Sequence, residues 1–350
     1  MPDLEYTIFP VRKRVIKVTI TNNQSTATAN PHVQEIKISH SYLLTLLGVD
    51  IDKYVVPLNT IFYDPQANAQ AYSWYEGYDG TYHRWFVKTQ SIGADSTYTL
   101  YMIIDLAQQL VDGKYAGINA IYGQNYLGLL YGQLDNGENV FLFYDNFQGT
   151  SINTNNWYVG GSDNNTSLTT FTVNNGLTIT TQYSSSTASY GGIVTVKSYP
   201  TDTIFDAYLG SFSVTNSSDN STHGILAQTG SASTSNGYAY VSWNNKNPNG
   251  GTIAYGNISS GVYSIVAGPN FPQSNSVLSI FWITTGNEDA CVNYNCVQTN
   301  NTSVTNTGSN YYAIGAVNNA GGAISTWYFA RVRDYPPNGI MPVVLFSFID

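Results

Sequence analysis

Short alternations of apolar and polar residues, rather than helical stripes, fill this chain. Val11–Ile20 (VRKRVIKVTI) sets Val and Ile against Arg and Lys with a period near two, which turns one face of a strand toward a core. Val33–Ser39, Ile61–Tyr63, Gln70–Tyr75, Tyr82–Lys88 and Thr97–Ile104 are read as further strands, and Tyr78-Asp79-Gly80 as the turn of a hairpin. Tyr42–Leu47 fits a strand or a helix. One segment has helical spacing: Ile104, Leu106/Ala107 and Leu110/Val111, followed by Gly113, predict a short helix over 104–112. From about residue 138, short strands recur about every eight to twelve residues between Asn, Ser and Gly turns, the spacing of a sandwich or jelly roll. The pattern predicts an all-β chain of two β-sandwich or jelly-roll domains, 1–137 and 138–350, with one short helix near 103–113 in the insertion between them.

Composition narrows the class. Only 10% of residues are charged, with 13 Lys+Arg against 22 Asp+Glu and a net charge of −9. A nucleic-acid surface needs a basic stripe to neutralise phosphates, so that partner is excluded. The cluster Arg12, Lys13, Arg14 and Lys17 reads as the solvated face of a strand. Polarity comes instead from 29 Tyr, 31 Gly and abundant Asn, Ser and Thr, the composition of an exterior β protein. No apolar run reaches the roughly 18 residues of a membrane span. The start, Met1 to Tyr6, lacks a basic segment followed by an apolar core. That fits a virus structural protein made without a leader, or a secreted protein whose leader was removed. With few ion pairs to lose, stability is expected to vary little between pH 3 and pH 7.

Cys291 and Cys296 have no histidine nearby for a zinc site, so a small-loop disulfide is expected. Asn-X-Ser/Thr sequons begin at Asn23, Asn164, Asn165, Asn216, Asn220, Asn257, Asn300 and Asn301, a pattern suited to a glycosylated exterior. Phosphate-binding glycine motifs and a nucleophile elbow are absent from the sequence. His32, His40, His83 and His223 show no ligand spacing and are read as structural. Nothing in the sequence calls for a metal, a cofactor or catalytic residues. Glycoside hydrolysis needs two carboxylates at a set separation. Glu76 and Asp79 beside a turn are the candidates weighed, and a turn role is favoured. Trp74, Tyr75 and Tyr78 are the candidate glycan contacts, because sugar C–H faces stack on aromatic rings. Near the C-terminus, alternation puts Trp327, Phe329, Arg331 and Arg333 on one face. Arg331 and Arg333 are expected to pair with Asp334 or Asp350, or to stack on rings.

Several stretches resemble a known pairing of domains. The opening strand RKRVIKVTI, the segment Trp74 to Gly80, the strand Trp85-Phe86-Val87-Lys88 and Ser96 to Met102 are similar to an uncharacterised β domain of archaeal and bacterial surface proteins. Tyr144 to Trp157 and the closing Trp327 to Pro337 resemble a lectin-like, concanavalin-type jelly roll. The Asn/Tyr/Thr-rich style resembles surface and virion proteins of thermoacidophilic archaea. The segment from about 103 to 137 departs from that pattern. The resemblance implies a fold and an exterior location but no active site. The expectation is a glycosylated structural or attachment protein on an archaeal virion surface, whose partners are its own copies, other particle proteins and host glycans. A cell-surface filament or adhesin subunit joined by strand exchange is the alternative. A secreted carbohydrate-active enzyme ranks third.

Overall fold

The computed structural model describes residues 13–160, 169–182, 188–200, 202–214, 220–229, 237–244, 251–255, 266–271, 274–282, 288–299, 310–319 and 322–349. Among the described residues the chain is all-β apart from short helices, and it divides into two compact units. The first is built from the residues up to Phe141 together with those from Pro336 onward; the second runs from Leu142 to Tyr335. The division expected at 137/138 therefore lies four residues later, and the C-terminal segment expected in the second domain belongs to the first.

In the first unit the chain forms β1 (Lys13–Asn22), β2 (His32–Ser39), α1 (His40–Leu47), β3 (Thr60–Asp64), β4 (Ala69–Gln70), β5 (Ser73–Tyr78), β6 (Tyr82–Thr89), β7 (Ser96–Asp105), β8 (Ala116–Ile118), α2 (Ala120–Leu127) and α3 (Gly137–Val140). The second unit contains β9 (Phe143–Asp145), β10 (Trp157–Gly160), β11 (Thr169–Val173), β12 (Leu177–Thr181), β13 (Ala188–Thr195), β14 (Thr203–Val214), β15 (Asn220–Thr229), β16 (Gly237–Asn244), β17 (Gly251–Tyr255), β18 (Val266–Phe271), β19 (Ser274–Trp282), β20 (Glu288–Val292), β21 (Asn295–Thr299), β22 (Asn310–Asn319) and β23 (Ala323–Asp334). The last strand, β24 (Val343–Phe348), returns to the first unit.

The first unit is a two-sheet sandwich. One sheet has the order β24-β1-β7-β3-β4 and the other β2-β6-β5-β8. The period of two read in the sequence is what builds it: Ile16, Val18 and Ile20 of β1 and Leu100, Met102 and Ile104 of β7 are buried. They meet Ile36, Ile38, Tyr75, Trp85 and Val87 of the second sheet in one core. Asp79 and Gly80 make the β5–β6 turn, in which Asp79 Oδ1 accepts from the backbone N–H of Thr81 and Tyr82 at 2.9 and 2.7 Å.

The helix expected over 104–112 is absent. Ile104 and Asp105 finish β7, paired with Arg14 and Lys13 of β1. The N–H groups of Leu110 and Val111 then both donate to the Leu58 carbonyl. Strand pairing on both sides of β7 outweighs a helical period only two turns long. The two longer helices, α1 and α2, form where caps exist. Ser39 accepts from Tyr42 N–H before α1, Asn119 accepts from Ile121 N–H before α2, and Gly48 and Gly128 end them with φ of 65° and 69°.

The second unit packs a seven-stranded sheet, β10-β13-β22-β15-β16-β17-β18, against an eight-stranded one, β11-β12-β23-β14-β19-β20-β21, with β9 added beside β23. Ile193, Ile225, Tyr312 and Ile314 from the first sheet meet Phe205, Leu209, Leu278, Trp327 and Val332 from the second. A bulge in the β14–β23 pairing, between Tyr208 and Ser211, shifts the alternation. Trp327 therefore faces the core, while Phe329, Arg331 and Arg333 come to the opposite side of the sheet. The four residues expected to share one face are split there, where the pairing skips Tyr328 on β23 and Gly210 on β14.

Candidate functional site

The outer face of the eight-stranded sheet carries an ionic cluster in the second unit. Asp206 on β14 accepts from Arg331 Nε and Arg333 Nε, both on β23 and both at 2.8 Å, through one oxygen, Oδ2. All three side chains are buried. Strand register places the cluster, since Asp206 lies opposite Arg331 on one side and Ser279 of β19 on the other. Arg331 thus pairs with a carboxylate 125 residues away in sequence, which the sequence does not suggest, and Asp350, one of the partners expected for the two arginines, lies outside the described residues. Burial alone would raise the Asp206 pKa, but the charges of Arg333 and Arg331 override it and hold the group at about 2. Arg333 is in turn raised above its ordinary value, because Asp206 outweighs the cost of its burial.

The β20–β21 turn reaches this face. Tyr294 accepts from Arg331 Nη2 at 2.7 Å. Cys291 and Cys296, opposite each other in the hairpin, form the expected disulfide and fasten the turn that carries Tyr294. Rings continue the face outward. Tyr144 and Tyr208 both stack on Phe329, with centroids 6.3 and 5.5 Å away, and the Arg331 guanidinium lies 5.1 Å from the Phe329 ring centre. Tyr208 and Tyr144 are only half-buried, and the Tyr208 hydroxyl donates to Asn275 Oδ1 at 3.1 Å.

This arrangement suits binding better than acid–base chemistry. A carboxylate held ionised between two guanidiniums cannot donate a proton to a leaving oxygen near neutral pH. Half-buried tyrosines with hydroxyls beside a rigid polar patch suit the stacking and hydrogen bonding of a sugar. Sequence reading missed the site because Tyr144, Asp206, Tyr294 and Arg331 are brought together only by strand register.

The candidates in the first unit fall differently. Trp74 is buried under Phe141, edge-to-face at 5.3 Å, and its Nε1 donates to Asp135 at 2.7 Å. Tyr75 lies in the core against Trp85 and Tyr122. Neither ring can reach a glycan, because both faces of β5 are covered. Tyr78 is half-buried, with its hydroxyl on the Gly80 carbonyl at 2.7 Å. Glu76 accepts from Arg84 at 3.2 Å, and Asp79 caps its turn.

All four histidines have partners. His32 contacts Gln34 at 3.3 Å, and His83 joins His40 and the Tyr75 hydroxyl at 3.0 and 2.9 Å. His223 lies between Thr181 and Ser325 at 3.2 and 2.7 Å. Of the sequons, Asn23 is exposed and Asn220 begins β15. Asn164, Asn165, Asn216, Asn257, Asn300 and Asn301 lie outside the described residues. No described helix is long and apolar enough to cross a membrane.

The two units define a chain of paired β-sandwiches, one set within the sequence of the other. No protein-family model matches it. A relative, uncharacterised protein 562 of Sulfolobus islandicus rod-shaped virus 1, is 27% identical over 365 residues, covering 97% of this chain and 59% of that protein. The chain thus spans less than two thirds of the relative's length.

Solved structures of similar architecture include an endo-acting O-glycanase of the human gut microbiota, with a TM-score of 0.43 and 13% identity over 55% of this chain and 98% of that one. A β-1,3-glucanase from Mycobacterium marinum gives 0.41 and 12% over 55% and 98%. The carbohydrate recognition domain of Emp47p gives 0.37 and 11% over 54% and 93%.

Proposed function

We propose that the chain is an exterior structural or attachment protein of an archaeal virus. It acts by assembly with its own copies and other particle proteins, and by glycan contact, rather than by catalysis. The observation that carries this reading is the similarity, across 97% of the chain, to a protein of an archaeal rod-shaped virus. The low charge, the sequon-rich second half and the disulfide agree with an exterior location. The ion-paired states of Asp206 and Glu76 favour a non-catalytic role.

The test is surface labelling of intact particles with an amine reagent that cannot enter them, followed by intact mass measurement. The expected result is a labelled, particle-bound protein whose mass exceeds 38.3 kDa and falls on removal of glycans. Recovery from infected cells but never from particles would overturn the proposal.

One observation favours the filament reading. β24 is the outermost strand of its sheet, carries no charge, and exposes Val343 and Leu345. Such an edge invites pairing with a strand of another chain. Polymers in images of the purified protein would favour this reading over particle assembly.

A further inference from the structure

On the outer side of the four-stranded sheet of the first unit, three neighbouring strands bring two lysines and two tyrosines to one spot. Lys88 at the end of β6 donates its backbone N–H to Tyr72 at 2.8 Å, and Ser73 donates to the Tyr115 carbonyl at 2.8 Å. Tyr72 and Tyr115, just ahead of β5 and β8, are therefore neighbours and their rings stack, with centres 5.2 Å apart and planes 25° from parallel. The Lys88 ammonium lies 5.9 Å from the Tyr72 ring centre, and that of Lys114 lies 4.9 Å from the Tyr115 ring centre. Asn139 ties the two sides together: its carbonyl accepts from Lys88 Nζ at 3.0 Å, and its side-chain amide donates to the Lys114 carbonyl at 3.3 Å.

Charge is what sets this spot apart. The protein has a net charge of −9, with 22 acidic residues against 13 basic ones. Even so, among the described residues no carboxylate forms an ion pair with Lys88 or Lys114. The acidic residue beside them, Asp112, turns one oxygen to the backbone N–H groups of Lys114, Tyr115 and Ala116. Lys88 is half-buried, and that burial pulls its pKa below the ordinary lysine value. A half-buried ammonium with spare donors and no counter-charge favours an incoming anion. Ammonium–ring contacts at exposed sites are weak and are readily exchanged for a charged partner. The lysines can therefore turn to a ligand and free for C–H contacts the ring surface that each of them covers, while the two rings stay stacked on each other.

We infer that Tyr72, Tyr115, Lys88 and Lys114 form a binding site for an acidic glycan, a sugar ring bearing a carboxylate or sulfate. The rings take the sugar and the two ammonium groups take its acid. A nucleic acid would need a far more basic surface than this chain offers. The site stands on the first unit alone. Its test uses purified full chain, so its outcome is independent of whether the protein is found on particles.

The experiment is calorimetric titration of the purified chain with an alginate tetrasaccharide, with neutral cellotetraose and with sodium sulfate. Saturable binding of the uronate tetramer, weakened by added salt, is expected, with no detectable binding of cellotetraose. Lys114→Gln, at an exposed position, should weaken binding roughly ten-fold, the worth of one charge-assisted contact. Lys88→Gln should do the same, and the Lys114 variant keeps the test intact if Lys88→Gln does not fold. Equal affinity for cellotetraose, no uronate binding, or indifference to Lys114→Gln would overturn the assignment. Sulfate alone binding as tightly as the tetrasaccharide would also overturn it, by reducing the site to one for a simple anion.

Discussion

His83 and His223 change the acid behaviour expected from composition. A chain with so few charges has few ion pairs to lose, which argues for stability that is flat with pH. Asp206 agrees with that. Its folded pKa of about 2 lies below the unfolded value, so its contribution is intact above about pH 4 and fades only as pH falls toward 2. The two histidines act earlier. Burial lowers His83 to about 3, helped by the neighbouring His40, and burial lowers His223 to about 3. In the unfolded chain each would take a proton near pH 6.5, so the unfolded state binds more protons between pH 6.5 and 3 and stability falls across that window. By pH 4 each histidine removes up to about 3 kcal/mol, or roughly 10 °C in the melting of a unit this size. Calorimetry at pH 7 and pH 4 checks this. His223→Asn should flatten the profile of the second unit and leave that of the first unchanged. Equal melting temperatures at both pH values would show that the histidines admit water or charge without unfolding.

At the scale of elements, what was legible in the sequence was local alternation. β1, β6 and β7 follow from it, as does the hairpin at Asp79 and Gly80. Two features escaped because their causes are distant. The short helical period at 104–112 yields to strand partners on β1 and β3. The irregular pairing at Tyr328 and Gly210, which sends Phe329, Arg331 and Arg333 away from Trp327, depends on how β14 meets β23; the glycine inside a strand is a sequence trace of the β14 half alone. The burial of Trp74 belongs with these, because it needs Phe141 to lie over β5. That cover also yields a prediction. Gly117 on β8 lies opposite Trp74 in the parallel β5–β8 pair, and a Cβ there would collide with Asn136. Asn136 is itself buried and donates to the Lys114 carbonyl at 3.3 Å, so it has little room to yield. Gly117→Ala should therefore cost about 1–3 kcal/mol, the usual range for overpacking. Urea denaturation measures it, and a change within experimental error would mean that the segment before α3 moves aside freely.

At the scale of the whole molecule, the first unit is interrupted by the second, and the two should not depend equally on each other's chain. The second unit closes on itself. β9 pairs with β23 through Phe143 and Val332, and Leu142 donates its N–H to the Val332 carbonyl at 2.9 Å, so the ends of the unit lie side by side. Ends that meet are the condition under which an inserted domain can fold as an independent body. The first unit is not self-sufficient without the returning chain. β24 covers one edge of β1 from Ile16 to Thr21, and its Val344 and Phe346 pack on the core. Losing it would bare the edge of β1 and uncover apolar surface worth several kcal/mol at about 25 cal/mol per Å². Residues 142–335 produced alone should therefore unfold cooperatively, near the temperature of one of two transitions in the full chain. A chain ending at residue 335 should keep that transition and lose the other. Calorimetry on the three proteins, with proteolysis to mark which segment has opened, separates the cases. A single transition in the full chain, together with a 142–335 fragment that never folds, would mean that the two cores form as one cooperative body. The strand returning at Val343 would then be only the last contact of that body rather than the closure of a separate domain.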